Sequence, residues 1–185
     1  MKTRIILPVL FCILSCYDSQ AQSDTAIATE KATYSAENLI NAFRFKEWDK
    51  YLALSYPGAV KYYGGKNGYM EQVQRARNNY KDLIQENPEK IRIIQLENDI
   101  QEWQCVIEKS RETYIDGKKG KIISYMVGQS TDDGLNWLFF DVAHNSVENV
   151  IYIMPDIFSN LAIPQRSTVF YSDLGFNEAG YVKEK

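Results

Sequence analysis

The chain has a single histidine, His144, and three cysteines, of which Cys12 and Cys16 lie near its start. One imidazole excludes any metal site that needs two or more histidines. With Cys105 the only other thiol, cysteine-rich zinc sites and intramolecular disulfides in the body of the chain are excluded too. No metal and no other cofactor is therefore expected. The chain also lacks an excess of positive charge: 21 Lys and Arg stand against 24 Asp and Glu, a net charge of -3. Binding a phosphate backbone needs Lys and Arg gathered on one face, so nucleic acid is not an expected partner. Internal repeats are missing. What remains is ordinary globular material: 185 residues, 45% hydrophobic and 24% charged. A chain of this size forms one domain and buries about 70% of the surface exposed when unfolded.

The first segment reads as an address. Lys2 and Arg4 precede the apolar run from Ile5 to Leu14, and Ser19-Gln20-Ala21 offers small residues for cleavage, so residues 1–21 are expected to be an export signal. The run is too short to span a bilayer, and no second long apolar run follows. A competing reading uses Ile13-Leu14-Ser15-Cys16, which resembles a bacterial lipoprotein box with Cys16 as the lipidated first residue; Leu14 stands where a smaller residue is usual. The first reading sends the domain to the periplasm or the medium and the second to the outer membrane. Lipidation at Cys16 is the one membrane contact expected.

Residues 22–33 are small and polar, the composition of a flexible tether. From Tyr34 the period becomes helical: Leu39, Ile40, Phe43, Trp48, Tyr51 and Leu52 recur at spacings near three and four, with Ser35 as a start cap, a bend at Phe45-Lys46 and a stop at Pro57-Gly58. Ala59 to Tyr63 reads as a short strand or turn, closed by Gly64-Gly65. Asn67 is placed to cap a second helix with Met70, Val73, Tyr80, Leu83 and Ile84 on one face, ended by Asn87-Pro88. Beyond Pro88, four β-branched and aromatic runs follow: 91–97, 102–115, 121–130 and 135–143. Turn signals separate them, as in an antiparallel meander. In the last run Trp137, Phe139 and Asp141 alternate with Leu138, Phe140 and Val142, so both faces need cover, from helices on one side and from the C-terminal segment or a partner chain on the other. Residues 147–161 read as a final helix or an irregular wrap, 169–171 as a late extended piece, and 172–185 as a tail.

Ser130-x-Asp132-x-Gly134-x-x-Trp137 resembles the Asp-box hairpin of sialidase propellers. Its physics is local, since the carboxylate accepts backbone N–H groups, Gly supplies positive φ and Trp packs the turn down. A single copy is read as a structural turn. Gly64-Gly65-Lys66-Asn67 lacks the spacer of a phosphate loop and is read as the approach to a helix. Asp141 and His144, raw material for acid–base chemistry, stand at an odd spacing that divides them between faces. Cys105, flanked by Trp103 and Ile107 on one strand face, is read as a buried apolar side chain.

Helices at 34–56 and 67–86, the Ala59–Gly65 link and the string Gly134-x-x-Trp137-x-Phe139-x-Asp141 together resemble the nuclear transport factor 2-like superfamily, with its ketosteroid isomerases, polyketide cyclases and uncharacterised exported bacterial members. The resemblance implies an α+β fold over residues 34–171, a cystatin-like cone with N-terminal helices on the concave face of a curved antiparallel sheet and a pocket between them. Isomerase-like members place an acidic base on the short strand, where this chain has Val60-Lys61-Tyr62-Tyr63; the tuned carboxyl groups of that isomerase are a standard worked case. The first expectation is therefore a non-catalytic exported domain that binds a small apolar molecule or a protein partner, with Tyr51, Tyr80, Trp103, Tyr125, Trp137 and Asp141 lining the pocket. The second is an isomerase, dehydratase or cyclase with Asp141 as acid or base. The third is a cell-envelope module that forms a homodimer through the convex sheet, where Leu138, Phe140 and Val142 would be exposed.

Overall fold

Helix α1 spans Ile6–Phe45 in the computed structural model, which describes residues 6–79, 88–142 and 149–171, with side chains from Asp24 onward. The stretch expected as a tether is helical from Asp24 to Thr33, and Ser35, expected to cap a helix start, lies in the interior of α1. The reason is a stripe of alanines. Ala28, Ala32, Ala36 and Ala42, with Leu39 among them, are buried at helical spacing. Alanine has the best helix propensity, and its small side chain lets the helix axis come close to the turn after the third strand. A Cβ added to Gly134 would lie 2.6 Å from the Cβ of Ala28. Among the described residues no helix is long and apolar enough to cross a membrane.

The expected bend is present. Lys46 adopts φ 62°, and the chain resumes as α2, Trp48–Ala53. Ala59 to Tyr63 is not a strand: α3 spans Pro57–Tyr62, with Pro57 in its first turn. There the missing N–H costs nothing and the fixed φ already suits a helix, so the proline expected as a stop serves as a start. Gly64 and Gly65, both at positive φ, lead into α4, Lys66–Asn79, which begins one residue before the expected cap. Leu83, Ile84, the expected Asn87 stop and the 172–185 tail lie outside the described residues.

The strands follow as a meander, β1 Lys90–Asp99, β2 Glu102–Ile115, β3 Lys118–Ser130 and β4 Leu138–Asp141, antiparallel in the order β1-β2-β3-β4. After a short helix, α5 Val150–Ile153, strand β5 (Ser167–Phe170) pairs with β3 along Gly120–Ile123, while β4 takes Met126–Gln129. The molecule is thus α+β, with N-terminal helices and a curved five-stranded antiparallel sheet. A bulge between Ile93 and Gln95 bends β1. The free edge of β4 is closed by the α2–α3 junction: Tyr56 N–H donates to the Phe139 carbonyl at 2.7 Å, and Phe139 N–H donates to Leu54 at 2.9 Å.

Register sorts the side chains. Paired residues share a face, so Trp103, Cys105, Ile107, Lys109 and Arg111 of β2 lie with Ser130, Gly128, Met126, Ser124 and Ile122 of β3. Phe139 and Asp141 join them from β4, opposite Gly128 and Met126. This face meets the helices. The other, with Val106, Val127 and Phe140, is covered by Val150, Ile153 and Met154, all buried. Gln104 fastens that cover, donating to the Asp156 carbonyl at 3.0 Å and accepting from Phe158 N–H at 2.8 Å. Residues 149–161 are therefore a wrap with one short helical turn. Of the residues expected on an exposed apolar face, Phe140 and Val142 are buried by the chain itself, while Leu138 is partly exposed.

Gly128 is required by close approach. A Cβ there would lie 2.8 Å from Cys105 Sγ and closer still to the Phe139 ring. Gly128→Ala is expected to destabilise the domain by about 1 to 3 kcal/mol through overpacking, read as a lower urea midpoint at unchanged slope. An unchanged midpoint would mean that β2 and β4 are not packed across this residue.

Candidate functional site

Between α1, α4 and the sheet lies a cavity of about 230 Å³. Its helical walls are Leu39, Ile40 and Phe43 of α1 and Val73 and Ala76 of α4, the apolar positions that amphipathic spacing turns inward. The sheet contributes a different chemistry. Lys109 and Arg111 alternate on the inner face of β2, in phase with Cys105 and Ile107, so the face that is apolar at one end of the strand becomes cationic at the other. Asp141 approaches from β4 and Glu89 from the residue before β1.

These four groups are paired. The Lys109 ammonium donates to the Asp141 carboxylate and lies 4.0 Å from Glu89, while Arg111 contacts Glu89 at 3.1 Å. The Lys109 side chain is only 6% exposed. Burial alone would weaken its ammonium, but Asp141 and Glu89 outweigh that and the opposing Arg111, and its pKa is raised. Burying charges costs desolvation, and apolar side chains of similar size would often hold the fold as well. Ion pairs at a cavity wall therefore say more about what the cavity faces than about stability.

Tyrosines form the third component. Tyr51, Tyr63 and Tyr69 line the cavity, with Tyr51 stacked on Tyr69 at 6.3 Å between ring centroids. Hydrogen bonds connect the hydroxyls of Tyr51, Tyr69 and Ser55, and Ser55 donates to the Tyr51 carbonyl at 2.7 Å. Burial first, then Tyr69 and Asp141, push the Tyr51 phenol well above its ordinary value; burial likewise raises Tyr69. Both stay neutral hydrogen-bonding groups at physiological pH.

These shifts have a consequence at high pH. A raised folded-state pKa means that the unfolded chain loses its protons first, so the contribution is complete below the unfolded value and lost as pH rises past it. For Lys109, Tyr51 and Tyr69 the unfolded values lie near 10. Stability is expected to hold up to about pH 10 and to fall above it. Circular dichroism and tyrosinate absorbance should change together; tyrosinate formation at ordinary values with the fold intact would contradict the burial of this cluster.

Of the residues expected to line a pocket, the fold brings two together here, Tyr51 and Asp141. Trp103 lies toward the far end of β2, beside the Ala28–Gly134 contact. Trp137 is core: it stacks on Phe139 at 6.3 Å and its indole N–H donates to the Gly134 carbonyl at 2.8 Å. Tyr125 sits opposite Glu108, on the face away from the helices. Tyr80 and His144 lie outside the described residues. Lys109, Arg111, Glu89 and Tyr69 went unpredicted, although two cations in phase with a buried strand face are a legible sign.

The other sequence features are structural. Asp132 accepts from Asn136 N–H at 2.9 Å and from Ser130 Oγ at 2.8 Å, closing the turn before β4. Desolvation opposes its ionisation, but the bonds from Asn136 and Ser130 prevail and lower its pKa. Cys105 is fully buried, and burial pushes its thiol far up, leaving it unreactive. No group of three or more His, Cys, Asp or Glu among the described residues could hold a metal ion. Compared with known protein families, curated proteins and solved structures, the chain matches none of them.

Proposed function

We propose that this domain binds a small molecule in the cavity between helices and sheet and holds it without transforming it. The observation that carries the reading is the cavity itself. Beside a core packed tightly enough to demand glycine at position 128, about 230 Å³ stays open against apolar side chains, tyrosine hydroxyls and ion pairs. Such a mix of apolar wall and few convergent polar groups is the usual character of a ligand site, and the volume, below the roughly 300 Å³ at which drug-sized pockets begin, suits a small ligand. The cone-like arrangement suggested by the nuclear transport factor 2-like resemblance is compatible with this reading.

The alternative is an isomerase, dehydratase or cyclase with Asp141 as acid or base. It is weakened by the ammonium on that carboxylate, which already occupies the oxygen that a substrate proton would have to reach. A protein partner at this site is less favoured than a small molecule, since a cavity of this size admits only one or two side chains of a partner. We also take the domain to be exported, on the strength of Lys2, Arg4 and the Ile5–Leu14 run, or lipidated at Cys16; intact mass of the natively produced protein distinguishes the two.

The test is binding of the uncharged fluorophore phenylnaphthylamine, compared with the Ala76→Phe variant, which puts a ring into the cavity from α4. Saturable enhancement in the wild-type protein and its loss in a stably folded variant are expected. Equal binding by both proteins would move the site elsewhere, and no binding by either would end the proposal.

A further inference from the structure

Resting on the binding reading above, we infer that the ligand is an amphiphilic anion: a small carboxylate with an apolar body, its charged end at the Arg111 side of the cavity and its body against α1 and α4. Charge is the first argument. The chain as a whole is acidic, yet four cationic side chains line the cavity against two carboxylates, Glu89 and Asp141. The sheet produces this concentration. Lys109 and Arg111 share the inner face of β2, and Ser167 pairs with Ile123, so that Arg166 arrives one register step further, level with Ser124 and across from Lys109. Three cations from one strand and the approach to another thus line the cavity, and Arg75, paired with Glu71 at 2.8 Å, lines it from α4. Low-dielectric walls strengthen the resulting field for any anion that enters.

Hydrogen-bonding capacity is the second argument. A guanidinium carries five N–H donors in a planar fork suited to carboxylates. Glu89 meets a terminal nitrogen of Arg111, and the Arg111 Nε–H, shielded from solvent, has no acceptor among the described residues. A buried donor without an acceptor is unfavourable, and a carboxylate oxygen is the acceptor that a guanidinium fork matches best. Lys109 is already committed to Asp141, so Arg111 is the side chain through which the anion is recognised. The helices contribute apolar wall instead, with Leu39, Phe43 and Val73 lining the cavity. A ligand charged at one end and apolar along its body satisfies both.

The test uses three probes with the same ten-carbon chain, decanoate, decanol and decylamine, measured calorimetrically on the wild-type protein at neutral pH and low salt. Decanoate is expected to bind at least about tenfold tighter than decanol, with decylamine weakest, the size expected of one charge-assisted contact. In Arg111→Met the preference should shrink to within about threefold, with decanol affinity retained. Arg111→Lys, which keeps charge but loses the fork, should fall between. Decanol binding as tightly as decanoate, or decylamine tightest, would overturn the anion assignment and leave the cavity reading intact. If neither the three probes nor phenylnaphthylamine bind, the cavity reading fails and this inference fails with it. The wild-type series needs no variant to fold.

Discussion

Replacing Asp141 by alanine is expected to destabilise the domain by about 3 kcal/mol, the lower end of the cost of breaking a buried ion pair. The cost arises because the Lys109 ammonium, 6% exposed, is left without its nearest counter-charge. Glu89, at 4.0 Å, compensates in part, which sets the figure at the low end. Removing both partners should be milder. The double variant Lys109→Met, Asp141→Leu substitutes apolar groups of comparable size and is expected to recover most of the loss, since such replacements are often neutral. A double-mutant cycle in urea measures the coupling directly. A single-variant loss below about 1 kcal/mol would mean that the pair behaves as a solvent-exposed one, and the site would need redrawing.

The second large effect is expected at Trp137. Trp137→Ala should cost about 3 to 5 kcal/mol, the range for removing a buried large aromatic side chain. The indole is about 1% exposed, stacks on Phe139 and donates to the Gly134 carbonyl. Its loss opens a cavity and unpins the turn whose other end rests on Ala28. Trp137→Phe keeps most of the apolar contact and should cost distinctly less. Because Trp137 is core rather than cavity wall, phenylnaphthylamine affinity of the folded fraction should be nearly unchanged. A fall in affinity with little loss of stability would restore the original expectation that Trp137 lines the ligand site.

That expectation failed for an instructive reason. Alternation along β4 correctly put Trp137, Phe139 and Asp141 on one face, but it could not say how far along the sheet the helices leave space. At the Trp137 end the alanines of α1 close the gap, whereas at the Asp141 end the larger Leu39 and Phe43 stand against charged groups and a cavity remains. Tyr125 failed differently. Opposite Glu108, it belongs to the other face, and a count from the turns without the pairing register leaves that undecided. Composition marks residues 22–33 as a tether, but spacing decides otherwise: Ala28, Ala32 and Ala36 are polar-segment alanines by content and a packing stripe by position.

Sequence alone determined the helical first half followed by a four-stranded meander, the Asp132 turn and the buried, unreactive Cys105, because each depends on contacts between near neighbours or on a short period. Only tertiary structure decided that β5 returns to β3 with Arg166, that Glu89 meets Arg111, and that Lys109 reaches Asp141 across 32 residues of chain. Those encounters follow from register and from how closely each helix approaches the sheet. Both are settled by packing of residues far apart in the chain, which no local pattern records.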